Sequence, residues 1–284
     1  MKFLKAYFLL LCFTVSCFSL EKNVSSNEYV EYIPGDLPII ISAPHGGRKK
    51  DKSIADRKNG VLTSDANTDL LARQVYDAFA KTGKTPHLVI CHLHRIKVDC
   101  NRNEKECYEG DPKALAVWKE FQNSIEKAKK VITAKGQKVL FVDLHGHGHE
   151  IPRLELGYLL SSKELFLKEA AFNKLMSKSS FKGLVDRADF ESLIRGPESI
   201  GTLLEEEGFP SVPSSKVPDP GKGNKYFNGG YNTVRHGAQN SPNCYSVQIE
   251  MNKPGVRDTD ENRKKFAAAL SRVLNKFYKQ FLKD

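Results

Sequence analysis

Short apolar runs closed by Gly or Pro recur along this chain of 284 residues, with amphipathic stretches between them. Pro38-Ile39-Ile40-Ile41-Ser42-Ala43-Pro44 leads into His45-Gly46-Gly47, and Val139-Leu140-Phe141-Val142-Asp143-Leu144 leads into His145-Gly146-His147-Gly148-His149. Runs of this kind predict strands of a parallel sheet covered on both faces. Three further strands are predicted at 86–93, 156–160 and 245–251. Helical spacing predicts a helix from Thr68-Asp69 to about 81, with Leu70, Leu71, Val75 and Phe79 on one stripe. Asp111-Pro112 reads as an N-cap and first helical residue, opening a helix to about 134. Further helices are predicted at 163–176, 198–208 and 258–282.

The rest of the chain reads as a polar lead-in at 21–37, a long loop at 46–66 and a loop or lid at 213–243, rich in Gly, Pro and Asn. Strands alternating with helices predict an α/β fold: one mixed, largely parallel sheet with helices on both faces. No linker divides it, so residues 36–284 are expected to form a single domain.

The N-terminus reads differently. Lys2 and Lys5 precede the apolar segment Ala6–Val15, the pattern of a secretory signal peptide occupying residues 1–19. Cleavage is expected either after Ser19 or before Cys17, where Thr14-Val15-Ser16-Cys17 resembles a lipobox and would tether the chain to a membrane through a lipidated cysteine. The expected location is outside the cytoplasm: periplasm, envelope or medium. Export permits disulfides, and Cys100 and Cys107 are close enough in sequence to pair, whereas Cys91 reads as a buried thiol. No CxxC pair is present to suggest a thiolate zinc site.

The formal net charge is +10, and about +8 without the signal segment. No nucleic-acid-binding module accompanies this charge, so no nucleic-acid partner is expected. Attraction of a small anionic substrate or an anionic envelope surface is compatible with it.

Ligands of open α/β sheets bind beyond the carboxyl ends of the strands. His45 and His145 stand there, beside glycines that permit close approach, and are the candidate zinc ligands. Asp143 is placed to accept the second ring hydrogen of a histidine. His147 and His149 are read as lining the site or facing solvent. A catalytic zinc needs three protein ligands and an open position. The third is expected in Asp65-Ala66-Asn67-Thr68-Asp69: Asp69, Asp65 as the alternative, or the more distant Asp56. Glu250 interrupts the apolar run 247–251, and a general base explains a carboxylate there. Arg102, after Asn101, suits bidentate grip of a carboxylate, with Arg95 and Arg235 as further candidates. Tyr226, Tyr231 and His236 are candidates for substrate contact.

Five motifs occur in order: Ser42-Ala43-Pro44-His45-Gly46-Gly47, Thr68-Asp69, His94-Arg95 with Val98-Asp99-Cys100-Asn101-Arg102, Asp143-Leu144-His145-Gly146, and Gln248-Ile249-Glu250-Met251-Asn252. Together they resemble the N-formylglutamate amidohydrolase family over residues 36–280. The resemblance implies a zinc-carboxypeptidase-like fold, of the phosphorylase/hydrolase type. It implies zinc held by His45, an acidic residue near Asp69, and His145, with Asn101 and Arg102 on the substrate carboxylate and Glu250 as catalytic glutamate. The carboxypeptidase pattern has Glu three residues after its first histidine, where this chain has Arg48. The expected activity is hydrolysis of an amide C–N bond in a small anionic amide or short peptide, of N-formyl, N-acyl or γ-glutamyl type. A metallocarboxypeptidase, or a non-catalytic envelope ligand-binding protein on the same scaffold, are the alternatives.

Overall fold

The computed structural model describes residues 28–184 and 188–283. The signal segment and Cys17 lie outside the described residues.

Seven strands make one sheet: β1 (Val30–Ile33), β2 (Ile39–Ala43), β3 (His87–Cys91), β4 (Val139–Gly146), β5 (Leu154–Gly157), β6 (Ser211–Val212) and β7 (Cys244–Met251). Their spatial order is β1-β3-β2-β4-β7-β5-β6. The β3-β2-β4-β7 centre is parallel, while β1 and β5 run antiparallel to their neighbours β3 and β7. This is the mixed, largely parallel sheet that the apolar pattern predicts. β1 was not expected, because its four residues sit in the polar lead-in. Sheet edges of this length carry little pattern.

Alternation sorts the strand residues into two cores. Ile39, Ile41, Leu140, Val142, Leu144, Val247 and Ile249 pack on one face with α1 (Thr68–Ala80) and α8 (Asp260–Phe277). Leu71, Val75 and Phe79 of α1 are fully enclosed there, whereas Leu70 faces solvent. Ile40, Val89, Val139 and Phe141 pack on the other face with Val117, Trp118, Phe121 and Ile125 of α2 (Pro112–Thr133). The side chain of Asp111 caps α2 by accepting from Lys113 N and Ala114 N.

The predicted helix at 163–176 is instead broken into α3 (Ser162–Leu165), α4 (Glu169–Asn173) and a 3₁₀ turn at Lys174–Lys178. Glu169, with φ +49°, interrupts it. Helices α5 (Phe190–Arg195) and α6 (Ile200–Glu206) follow. The long 213–243 loop contains one short helix, α7 (Tyr231–His236). Cys91, Cys100, Cys107 and Cys244 are all buried free thiols, so the expected Cys100–Cys107 pairing is not formed. Among the described residues, no helix is long and apolar enough to cross a membrane.

Candidate active site

On the α2 side of the sheet, apolar positions give way to polar ones toward the carboxyl ends. On β4 the alternating positions Val139 and Phe141 continue as Asp143 and His145. In the parallel register, Asp143 stands beside Gln248 of β7, and His145 beside Glu250. His45 follows the end of β2 and is buried. These side chains therefore share one end and one face of the sheet.

The loop after His45 brings in the third group. Asp65 N donates to the His45 carbonyl at 3.0 Å, and Asn67, left-handed at φ 69°, turns the chain into α1. The Asp65 carboxylate then faces both imidazoles. Its Oδ2 lies 3.3 Å from His145 Nδ1 and 3.4 Å from His45 Nδ1. The two rings cross nearly edge to face, with centroids 4.9 Å apart. Asp69 is directed elsewhere, its Oδ1 accepting from Arg48 at 3.3 Å. The carboxylate gathered with the histidines is thus Asp65, not the Asp69 first expected, because the Asn67 turn separates their directions. Asp56 is distant too, paired with Lys97.

The remaining nitrogens are occupied from behind. His45 Nε2 is 2.7 Å from Asp99 Oδ1, and His145 Nε2 is 2.8 Å from Asp143 Oδ2. Asp99 is itself held by Arg95 Nε at 3.0 Å, and Asp143 accepts from Asn232 Nδ2 at 3.1 Å. Carboxylates placed behind histidines in this way orient metal ligands and raise their basicity. Burial works against charge on His145, but the adjacent Asp143 and Asp65 outweigh it and raise its pKa. Burial likewise raises Asp65, and the two histidines reverse this, holding the carboxyl well below its ordinary range.

The three groups fit a divalent cation. His45 Nδ1 is buried with no hydrogen-bond partner, the Asp65 carboxylate oxygen standing 3.4 Å away. An orphaned nitrogen of that kind is costly unless something completes it. Two imidazole nitrogens and one carboxylate oxygen within mutual reach form the donor set of an open three-ligand metal site. A second group, His147, His149 and Glu155, also lies close together. There, however, His147 is used up: Nε2 donates to Arg153 O at 2.8 Å, and Nδ1 accepts from His149 N at 3.1 Å.

Glu250 is buried, and burial pushes its carboxyl from 4.5 to about 7, with Asp65 and Glu155 adding to the rise against the pull of His145 and Arg95. Gln248 Nε2 donates to it at 3.0 Å. A cavity of about 570 Å³ opens over this end of the sheet, bounded by His45, Asp65, His145, Glu250, Asn101 and Arg102 among others. Arg102 is exposed, and its guanidinium has no ion pair among the described residues. Arg95 also borders the cavity, but its donors are engaged by Asp99 and Asp65. Its place is therefore behind the triad, although it was also expected to bind substrate. Asn101 is buried, with Nδ2 between Gln248 Oε1 (3.5 Å) and His145 Nε2 (3.4 Å).

Of the loop candidates, Tyr226 donates to Leu156 O, Tyr231 accepts from Arg235, and His236 is buried against Gln122 and Glu126. None of these four borders the cavity; Phe227, Gly229 and Gly230 do. Sequence reasoning also passed over Arg257. This buried guanidinium donates to the carbonyls of Met251 (3.0 Å), Ala66 (2.5 Å) and His147 (3.3 Å). It ties together the segments carrying Glu250, Asp65 and His145. Gly146 is required for this, since a Cβ there would lie 2.3 Å from the guanidinium carbon. Gly46 likewise admits Asp69 and Thr68 of α1 rather than a ligand.

Residues 37–115 match the family model described as N-formylglutamate amidohydrolase. The chain resembles that family. The match supports an amidohydrolase and spans His45, Asp65, Asn101 and Arg102; His145 and Glu250 lie beyond it. Among solved structures, a gene product of Agrobacterium tumefaciens shares the fold at 13% identity and TM-score 0.54, covering 89% of this chain and 96% of that one. An N-formylglutamate amidohydrolase from Ralstonia eutropha aligns at 15% identity and TM-score 0.49, over 86% of this chain and 95% of its own. An N-acetylmuramyl-L-alanine amidase, Ami1, from Mycobacterium smegmatis aligns at 15% identity and TM-score 0.37, over 84% and 95%. No curated protein matches the sequence significantly.

Proposed function

We propose that the chain is an exported, zinc-dependent amidohydrolase that cleaves the C–N bond of a carboxylate-bearing amide, of N-acyl amino acid type. The observation that carries this reading is the convergence of His45 Nδ1, His145 Nδ1 and Asp65 Oδ2 on one point beneath a cavity that also holds Glu250. Zinc held by these three residues would polarise the amide carbonyl and acidify water at the site.

The chain's own groups supply the rest. Glu250, as carboxylate, takes one proton from the attacking water, whose oxygen bonds to the amide carbon. It then delivers that proton to the leaving nitrogen as the C–N bond breaks. A carboxyl raised toward neutrality suits both halves of this exchange. Arg102 and Asn101 hold the substrate's free carboxylate, which fixes the scissile bond over Glu250. Export belongs to this reading through Lys2, Lys5 and the apolar segment that follows them.

The direct test is release of free amino acid from N-acylglutamates by purified protein. Hydrolysis that stops on chelation and returns with zinc is expected; hydrolysis insensitive to chelation rejects the metal. Arg102→Ala should raise KM by about tenfold or more for carboxylate-bearing amides, since a charge-assisted contact is lost. Equal losses on neutral amides would remove Arg102 from carboxylate binding.

A further inference from the structure

The far wall of the cavity is aromatic and rigidly built. Phe227 is 43% exposed and borders the cavity. One face of the Phe227 ring stacks on the His149 imidazole, with centroids 4.6 Å apart and planes 14° from parallel. A single buried carboxylate secures both partners: Glu155 Oε1 lies 2.9 Å from His149 Nδ1, and Glu155 Oε2 accepts from Phe227 N at 2.8 Å. The next residue is pinned as well, Asn228 O accepting from Leu159 N at 2.7 Å. Glu155 thus holds both the Phe227 backbone and the imidazole on which the ring stacks, so the open face of the ring is presented in one position. A rigid, half-covered aromatic face over a cavity is the form of a binding surface.

Its place in the sheet order says which part of a substrate it meets. Asn101 and Arg102 follow β3, on one side of the β2 and β4 strands that carry the histidines. Glu155 is on β5, beyond β7, on the other side. An amide lying across the triad with its carboxylate toward Arg102 therefore directs its acyl group toward Phe227. A formyl group would leave that wall unused, and a cavity of about 570 Å³ is in the range that encloses larger ligands.

We infer that Phe227 forms an apolar subsite for a bulky acyl group, so that the substrates are N-acyl amino acids with a large apolar or aromatic acyl chain rather than formyl compounds. The inference rests on the amidohydrolase reading above. It is tested with N-formyl-, N-acetyl- and N-phenylacetylglutamate on the zinc-loaded full chain. The ratio of kcat/KM for phenylacetyl over formyl should exceed about tenfold in the wild type, the scale on which apolar pockets discriminate. Phe227→Ala should cut that ratio about tenfold, with a cooperative thermal transition retained because the ring lies outside the buried core, 43% exposed. Calorimetric binding of the same compounds to the Glu250→Gln protein separates the two claims. If phenylacetylglutamate binds about tenfold tighter than formylglutamate, and Phe227→Ala removes the difference, the subsite stands even where no compound is hydrolysed and the amidohydrolase reading falls. A flat series in both turnover and binding, or a ratio untouched by Phe227→Ala, overturns the subsite.

Discussion

Glu250→Gln should reduce hydrolysis by about 10²–10⁴-fold while leaving metal content unchanged. The substitution is isosteric, and the amide oxygen can still accept from Gln248 Nε2, so the packing of β7 survives. What disappears is the basic oxygen. Glu250 is not one of the three converging donors, so the ion should remain at full occupancy. The same residue sets the acid side of the pH profile. Only its carboxylate form can take a proton, so kcat/KM should fall as pH drops through its pKa. Burial raises that pKa to about 7 with no cation at the triad. A bound cation favours the charged form, so the limb should lie below 7. It should be absent from the residual activity of the variant. Wild-type turnover that survives the substitution would remove Glu250 from proton transfer. A metal-loaded wild type with no turnover would leave a binding protein.

How far the sequence disclosed this arrangement depends on how local each feature is. β2, β4 and β7 were legible because each is an unbroken apolar run. His45, His145 and Glu250 were legible because each stands at or near the end of such a run. Asp143 behind His145 could be read from two-residue alternation on one strand. Features set by long-range closure were not. Asp99 behind His45 is separated from it by 54 residues, and no pattern joins them. Arg257 looked like any arginine before a helix, yet it is buried against three carbonyls from separate segments. Phe227 sat in a loop rich in Gly and Asn where nothing fixed side-chain direction; its role follows from Glu155, 72 residues away. The choice between Asp65 and Asp69 turned on a single left-handed residue, Asn67, which composition does not reveal.

That choice gives the second large effect. Asp65→Asn should lose the metal, and with it essentially all hydrolysis, whereas Asp69→Asn should keep both. In Asp65→Asn the anionic oxygen that faces both imidazoles is replaced by a neutral one, which binds a divalent cation poorly. Loss of a group behind a ligand already costs about 10–100-fold in affinity. Loss of a direct donor should exceed that, leaving well under half an ion per chain after dialysis against a weak chelator. Asp69 is placed otherwise: its carboxylate pairs with Arg48, whose side chain is 57% exposed. An ion pair of that kind contributes about 0–1 kcal/mol, and the charge at the start of α1 about 0.3–1 kcal/mol. A small drop in unfolding temperature is therefore the expected result for Asp69→Asn, with metal retained. Metal analysis of the two purified variants, each checked by thermal unfolding for a cooperative transition, decides the matter. Equal retention of metal in both would mean that Asp65 is not a donor and that the ion, if bound at all, is held elsewhere. Loss from Asp69→Asn alone would return the third position to the start of α1. In that case the convergence at Asp65 would be only a buried ion pair between a carboxylate and two histidines.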